Sequence, residues 1–163
     1  MEIYPHRILH KVLIIFGVIL GVQIVWGAFT AGLKAGHMFQ TFPLMEGSWV
    51  PEAVWLYSPV IGNLVENPIA VQWVHRIVGT VLGIMALASW YSARKLTDNT
   101  RLLDHMHVLL GSVLLQYLAG VFTLLWDVPV WLGVLHQAIA MVIWVIWLLA
   151  LHHLRKLLQT AKE

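Results

Sequence analysis

His75 and His136 each interrupt a long apolar stretch of this 163-residue chain, which carries nine histidines in all. Imidazole binds metals and carries protons, and an ionisable group inside a membrane-spanning stretch is a functional candidate by default. Each of the two lies about six residues past the start of its apolar run, or ~9–10 Å below the boundary at a helical rise of 1.5 Å. Two imidazoles at equal depth on helices running the same way can approach one iron from opposite faces, which is how a heme takes two axial histidines. Other readings of the same pair are polar packing between helices, a proton path and a metal other than heme. Arg76 adjoins His75 and needs a partner at that depth. A heme propionate, Glu66 or Asp127 would serve, or its side chain would snorkel to the interface. Gly27, Gly79, Gly83 and Gly120 are expected to leave room for a flat macrocycle. His37, outside the apolar runs, could approach a bound substrate. His6, His10, His105, His107, His152 and His153 cluster at the opposite ends of the runs. They read as interfacial residues, with a second heme on some of His10, His107 and His152 as the sharper alternative.

The elements that must position these residues are legible from hydropathy. The chain is 60% hydrophobic and 11% charged, with mean hydropathy +0.78, whereas a soluble domain carries about 25% charged residues. Apolar runs cover residues 12–33, 69–93, 108–126 and 130–151, each long enough to cross a ~30 Å hydrocarbon layer as a helix. A spanning segment must satisfy its own backbone, so helix is the assignment. The first run follows Arg7 and Lys11 as a signal sequence would, but its length marks a retained helix. The expectation is one transmembrane domain over residues 1–163, an all-α four-helix bundle. Cysteine is absent, which excludes disulfides, thiolate metal sites and a cysteine nucleophile. No nucleic-acid partner is expected.

Lysine and arginine set the expected orientation. Arg7, Lys11, Arg94, Lys95, Arg101, Arg155, Lys156 and Lys162 fall at one end of the runs, and Lys34, Glu46, Glu52, Glu66 and Asp127 at the other. Both termini are therefore expected in the cytoplasm of a prokaryote, with the acidic loops outside. Trp26, Trp73, Trp126 and Trp131 near the outer boundary and Trp90 near the inner one read as aromatic belts. The outer connection over residues 34–68 is rich in proline and also apolar, so it reads as an ordered loop, with a short interfacial helix near residues 52–57. Gln23, Gly27, Phe29 and Thr30 recur at the same spacing as Gln116, Gly120, Phe122 and Thr123, and each set is followed by a helix with a histidine near its start. The chain reads as two copies of one helical hairpin, and matching residues of such repeats meet near a pseudo-symmetry axis.

Four blocks in order, Gly27–Gly36, Thr41–Met45, Glu66–Arg76 and Leu135–Ala138, resemble the heme A synthase family over nearly the whole chain. Typical members have eight helices in two similar halves, and this chain is similar to the C-terminal one. The resemblance implies a heme b, or a substrate-like heme O, between His75 and His136. It also implies oxidation of the C8 methyl of heme O to a formyl group for terminal oxidases, with a heme O synthase or oxidase-assembly proteins as partners. Two departures stand out. A catalytic glutamate of the N-terminal half corresponds to Gln72 here, and the outer-loop cysteine pair of some members is missing. Glu66 becomes the candidate acid, turned inward by a break at Pro68, with Arg76 and Lys34 as candidates to neutralise propionates. A homo-oligomer would rebuild an eight-helix arrangement, and Gly17/Gly21 and Gly79/Gly83 permit close helix approach either there or within one bundle. The competing readings are a bis-histidine membrane cytochrome b and a heme-binding assembly subunit without catalysis.

Overall fold

The computed structural model describes residues 3–160 and contains four long helices: α1 (Ile3–Gly32), α2 (Pro68–Leu96), α3 (Thr100–Leu125) and α4 (Val130–Thr160). Among the described residues there is no β-strand, only an isolated backbone bridge between Met45 and Ser48. All four helices are long and apolar enough to cross a bilayer, as hydropathy predicts. They run past the apolar stretches at the basic end, where polar residues continue the helix into more polar surroundings.

The short α2–α3 and α3–α4 connections make those neighbours antiparallel. Asn99 caps α3, its side chain accepting from the Leu102 amide at 2.9 Å. Asn67 caps α2 through the Ile69 amide at 3.0 Å, with Pro68 at the first helical position, where its missing N–H costs nothing. The turn between α3 and α4 passes through left-handed Asp127 and Val128, a region a β-branched residue rarely enters. Helix α1 packs on α2 and α4, and α3 packs on the same two. The bundle is therefore a square with α2 and α4 on one diagonal.

The main hydrophobic core sits at the basic end. Leu9, Leu13, Phe16, Leu102, Met106, Leu109, Ile143 and Leu154 are its fully buried side chains. The α1–α4 seam closes around glycine. A Cβ on Gly17 would lie 1.9 Å from Trp147, and one on Gly21 would touch Trp144 at 3.8 Å. The Trp147 indole N–H donates to the Leu13 carbonyl at 2.6 Å. The small residues of α1 thus seat tryptophans of the same chain. Outward faces are apolar, as a lipid-facing surface must be: Val18, Ile84 and Val130 are 65%, 64% and 82% exposed.

The outer connection is built from three 3-10 turns, at Ala35–His37, Glu52–Trp55 and Val60–Leu64. The single interfacial helix expected near residues 52–57 is thus one short turn among three, because Pro51 and Pro59 interrupt any longer run. Asn63 and Asn67 knit it together. The Asn67 amide donates to the Ala53 carbonyl at 2.7 Å and to Asn63 at 3.0 Å, and Asn63 donates to the Tyr57 carbonyl at 2.9 Å. Trp73 donates to the Trp49 carbonyl at 3.0 Å and meets Trp55 edge to face, so it holds this loop as well as marking a boundary.

Gly17→Ala is expected to destabilise the bundle by about 1–3 kcal/mol, since the seam cannot admit a methyl group without moving a tryptophan. Gly111 has open space around its Cα, so Gly111→Ala should be neutral or stabilising by roughly 0.5–1 kcal/mol. Thermal unfolding of both variants in detergent checks the contrast.

Candidate functional site

His75 on α2 and His136 on α4 face each other across the diagonal, with ring centres 6.4 Å apart and ring planes at 68°. The matched depth read from the sequence is realised as direct opposition. Each ring sits in a notch cut by the hairpin repeat. On α1, a Cβ at Gly27 would lie 3.4 Å from Cε1 of His75. On α3, a Cβ at Gly120 would lie 2.9 Å from Cε1 of His136. These glycines make room for the imidazoles themselves rather than for a flat ring. Of the other two glycines, Gly79 faces the Gln23 amide, at 3.1 Å from its would-be Cβ, and Gly83 has open space.

The glutamine of each repeat copy completes its notch. The Gln23 amide lies 3.5 Å from Nε2 of His75 and donates to the His75 carbonyl at 3.0 Å. The Gln116 amide lies 3.2 Å from Nε2 of His136. Glutamine and glycine are one helical turn apart on the same face, so one face of α1 and one face of α3 each present a hydrogen-bonding group beside a gap. Thr30 and Thr123 close their hydroxyls onto the carbonyls of Trp26 and Ala119, four residues back, at 2.8 and 2.7 Å. They are local helix residues with no direct part in the pair. The signal for Gln23 and Gln116 is in the sequence as the first position of the repeat, but its role is visible only across helices.

The Nδ1 atoms of both histidines and the Oε1 atoms of both glutamines are buried without a hydrogen-bond partner. Buried polar atoms are rarely left so. Two imidazoles trans on one ion, at about 2.0 Å per bond, have ring centres roughly 6.3 Å apart, close to the spacing found. The donor set and its separation therefore fit a metal held between two neutral imidazoles.

The remaining candidates lie around this pair rather than in it. The Arg76 guanidinium donates to the Phe39 and Thr41 carbonyls at 2.8 and 2.9 Å, and neither Glu66 nor Asp127 is its partner. Gln72 is buried and donates to the same Phe39 carbonyl at 2.9 Å. Helix α2 begins at Pro68, so Glu66 lies outside it, but the break does not turn Glu66 inward as expected. Glu66 is exposed and lines an outer cleft of about 740 Å³ with Trp26, Tyr57 and Leu64. The seven helical steps from Pro68 to His75 rise ~10 Å, and Glu66 precedes them in the outer connection. Lys34 is exposed in a left-handed conformation (φ 51°), past the end of α1. His37 points to Asp127, Nδ1 to Oδ1 at 2.8 Å, and Gln40 bonds the same carboxylate oxygen. Gly36 lets the α3–α4 turn dock there, since a Cβ would lie 2.8 Å from Val128.

At the basic end the histidines form separate pairs. Arg155 donates to His10 at 3.1 Å, His107 packs edge-on against Trp90, and His105 stacks on His153. The proposed second-heme set of His10, His107 and His152 is not gathered: His10 turns to α4 and His107 to α2. Among the described residues no cluster of three or more metal-ligating side chains occurs.

Comparison with known proteins places this geometry. The chain is 35% identical over 162 residues to the heme A synthase of Flavobacterium johnsoniae, covering 94% of this chain and 48% of that protein. It is 39% identical over 137 residues to the heme A synthase of Rhodospirillum centenum, covering 84% of this chain and 37% of that one. With the enzyme of Beijerinckia indica the identity is 42% over 125 residues, with 75% and 34% covered. The chain thus spans between a third and a half of the length of these curated relatives. No solved structure matches it. Residues 2–148 match the family described as COX15-CtaA, cytochrome oxidase assembly protein. With four apolar spanning helices and a match over most of its length, this integral membrane protein belongs to the COX15-CtaA family.

Proposed function

We propose that this chain is a heme-binding unit of heme A synthase type, in which His75 and His136 are the axial ligands of a heme b. The observation that carries this reading is the facing pair, with its metal-compatible spacing and its two unpartnered Nδ1 atoms. Similarity to heme A synthases supports the rest: oxidation of the C8 methyl of heme O to a formyl group, in a membrane whose cytoplasmic side meets the lysine- and arginine-rich end of the bundle. When bound, the heme supplies the redox chemistry, and the protein supplies orientation and electrostatics.

The chain's own residues divide that work. The two notches give each ring its place through glycine, while Gln116 meets the His136 ring and Gln23 ties α1 to the His75 backbone carbonyl. Arg76 and Gln72 hold Phe39 and Thr41 over the outer end of α2, which shields the pair from water. Arg76 keeps its charge close above the histidines, and Lys34 offers a second cation at the mouth, so both suit carboxylate groups of a ligand. Glu66, in the outer cleft, is positioned to exchange protons with water at that mouth. A homo-oligomer would bring two such four-helix units together. With Gly17 and Gly21 occupied by Trp147 and Trp144, its contact would use another face.

A second reading, a bis-histidine cytochrome b that transfers electrons without modifying heme, is favoured by one observation. The Gln72 position holds an amide bonded to Phe39, and Glu66 is exposed in the outer cleft rather than beside the pair. Co-expression with a source of heme O separates the two: heme A in the extracted pigment supports the synthase, and heme b alone supports the cytochrome.

Purified protein is expected to show a low-spin heme spectrum that is lost in both His75→Ala and His136→Ala. An unchanged spectrum in either variant would refute the ligand assignment. Gly120→Ala should lower heme occupancy by roughly tenfold, the scale of a disturbed ligand support. Gly27→Ala, with its looser contact, should lower it less, and heme titration of the two variants measures the difference.

A further inference from the structure

The two repeat glutamines are equivalent in sequence but not in their surroundings. Each has a buried amide oxygen with no donor, which is costly for a carbonyl group. The two ends of an amide occupy nearly the same positions and can exchange by a half-turn. At Gln116 the amide nitrogen has one neighbour, Nε2 of His136 at 3.2 Å. A half-turn there sets the amide oxygen against the ring nitrogen. The oxygen then accepts an N–H from His136 and leaves Nδ1 as the bare nitrogen of that ring, at the cost of placing the amide N–H groups where the oxygen had no partner. At Gln23 the same turn is blocked. Its amide nitrogen donates to the His75 carbonyl at 3.0 Å, and an oxygen in that place would oppose another acceptor. Its distance to Nε2 of His75 is 3.5 Å, at the limit of a hydrogen bond.

We infer that Gln116 is a positioning residue that sets the tautomer and donor strength of His136, while Gln23 ties α1 to the backbone of α2 and leaves the His75 ring unset. The inference concerns this chain's own side chains, and its second consequence rests on the proposed heme. A metal-bound histidine whose other N–H is held by an acceptor is a stronger donor. A stronger donor favours the oxidised metal and lowers its reduction potential.

Two measurements test it. In heme-free protein, the imidazole nitrogen NMR shifts of His136 should report an Nε2–H tautomer that is lost in Gln116→Leu. Those of His75 should be unmoved by Gln23→Leu. In heme-loaded protein, Gln116→Glu, which keeps the length and adds charge, should lower the midpoint potential, and Gln116→Leu should raise it. Gln23→Leu should leave it within error of wild type. Unmoved His136 shifts and potentials in both Gln116 variants would overturn the inference, as would an equal shift from Gln23→Leu. If wild type takes up no heme, the ligand assignment fails while the heme-free measurement still decides the role of Gln116.

Discussion

Two imidazoles brought together with their ring planes steeply inclined, between apolar helices, are the constraint that the rest of this bundle serves. Inside hydrocarbon no water is present to orient a ring or satisfy its nitrogens. The protein has to supply both the space and the partner from neighbouring helices. It supplies the space twice, with a glycine that lets the ring edge approach the helix, and one turn earlier a glutamine that reaches the His136 ring in one copy and the His75 backbone carbonyl in the other. The hairpin repeat is the covalent expression of that solution. A helix carrying the histidine cannot build its own notch, so each copy needs two antiparallel helices.

That arrangement explains the uneven packing along the bundle axis. The basic half is filled by leucine, methionine and phenylalanine and sealed by Trp147 across Gly17. The outer half has few fully buried apolar side chains in the middle of the bundle and places polar ones there. Close packing at one end fixes helix positions, so polar side chains can be held in place at the other. The outer connection then closes the mouth. Its anchors are polar, because a loop over an apolar mouth must still satisfy its backbone. Gln72 and Arg76 take the carbonyls of Phe39 and Thr41, while Asn67 takes those of Ala53 and Val54. His37, Gln40 and Asp127 join the two outer connections, so the first hairpin's loop also braces the second hairpin's turn.

Function follows from which groups share the level of the histidines and which do not. At that level are glutamines, glycines and the imidazoles, a set suited to holding a metal-centred group. Glu66 and Lys34, a carboxylate and a cation that are both exposed in the outer connection, are suited to meeting water or an anionic edge of a ligand. Gln72, an amide used to anchor the loop, marks where the chain departs from a simple transfer of catalytic roles.

The sequence by itself determined the helices and the depth of the two histidines, because twenty apolar residues in lipid have one way to satisfy their backbone and 1.5 Å per residue converts position to depth. It also showed the repeat, since four identities at fixed spacing are visible without coordinates. Only the tertiary structure decided what those repeated residues touch. Gly27 and Gly120 could equally have faced a macrocycle, a second copy or lipid, and Gly17 and Gly21 a dimer partner, because a glycine on a helix carries no record of its neighbour. Arg76 was readable as a cation needing a partner, but the partner is a pair of loop carbonyls more than thirty residues away in sequence. Backbone acceptors belong to every residue alike, so no pattern in the amino-acid sequence marks the ones that a distant side chain will find.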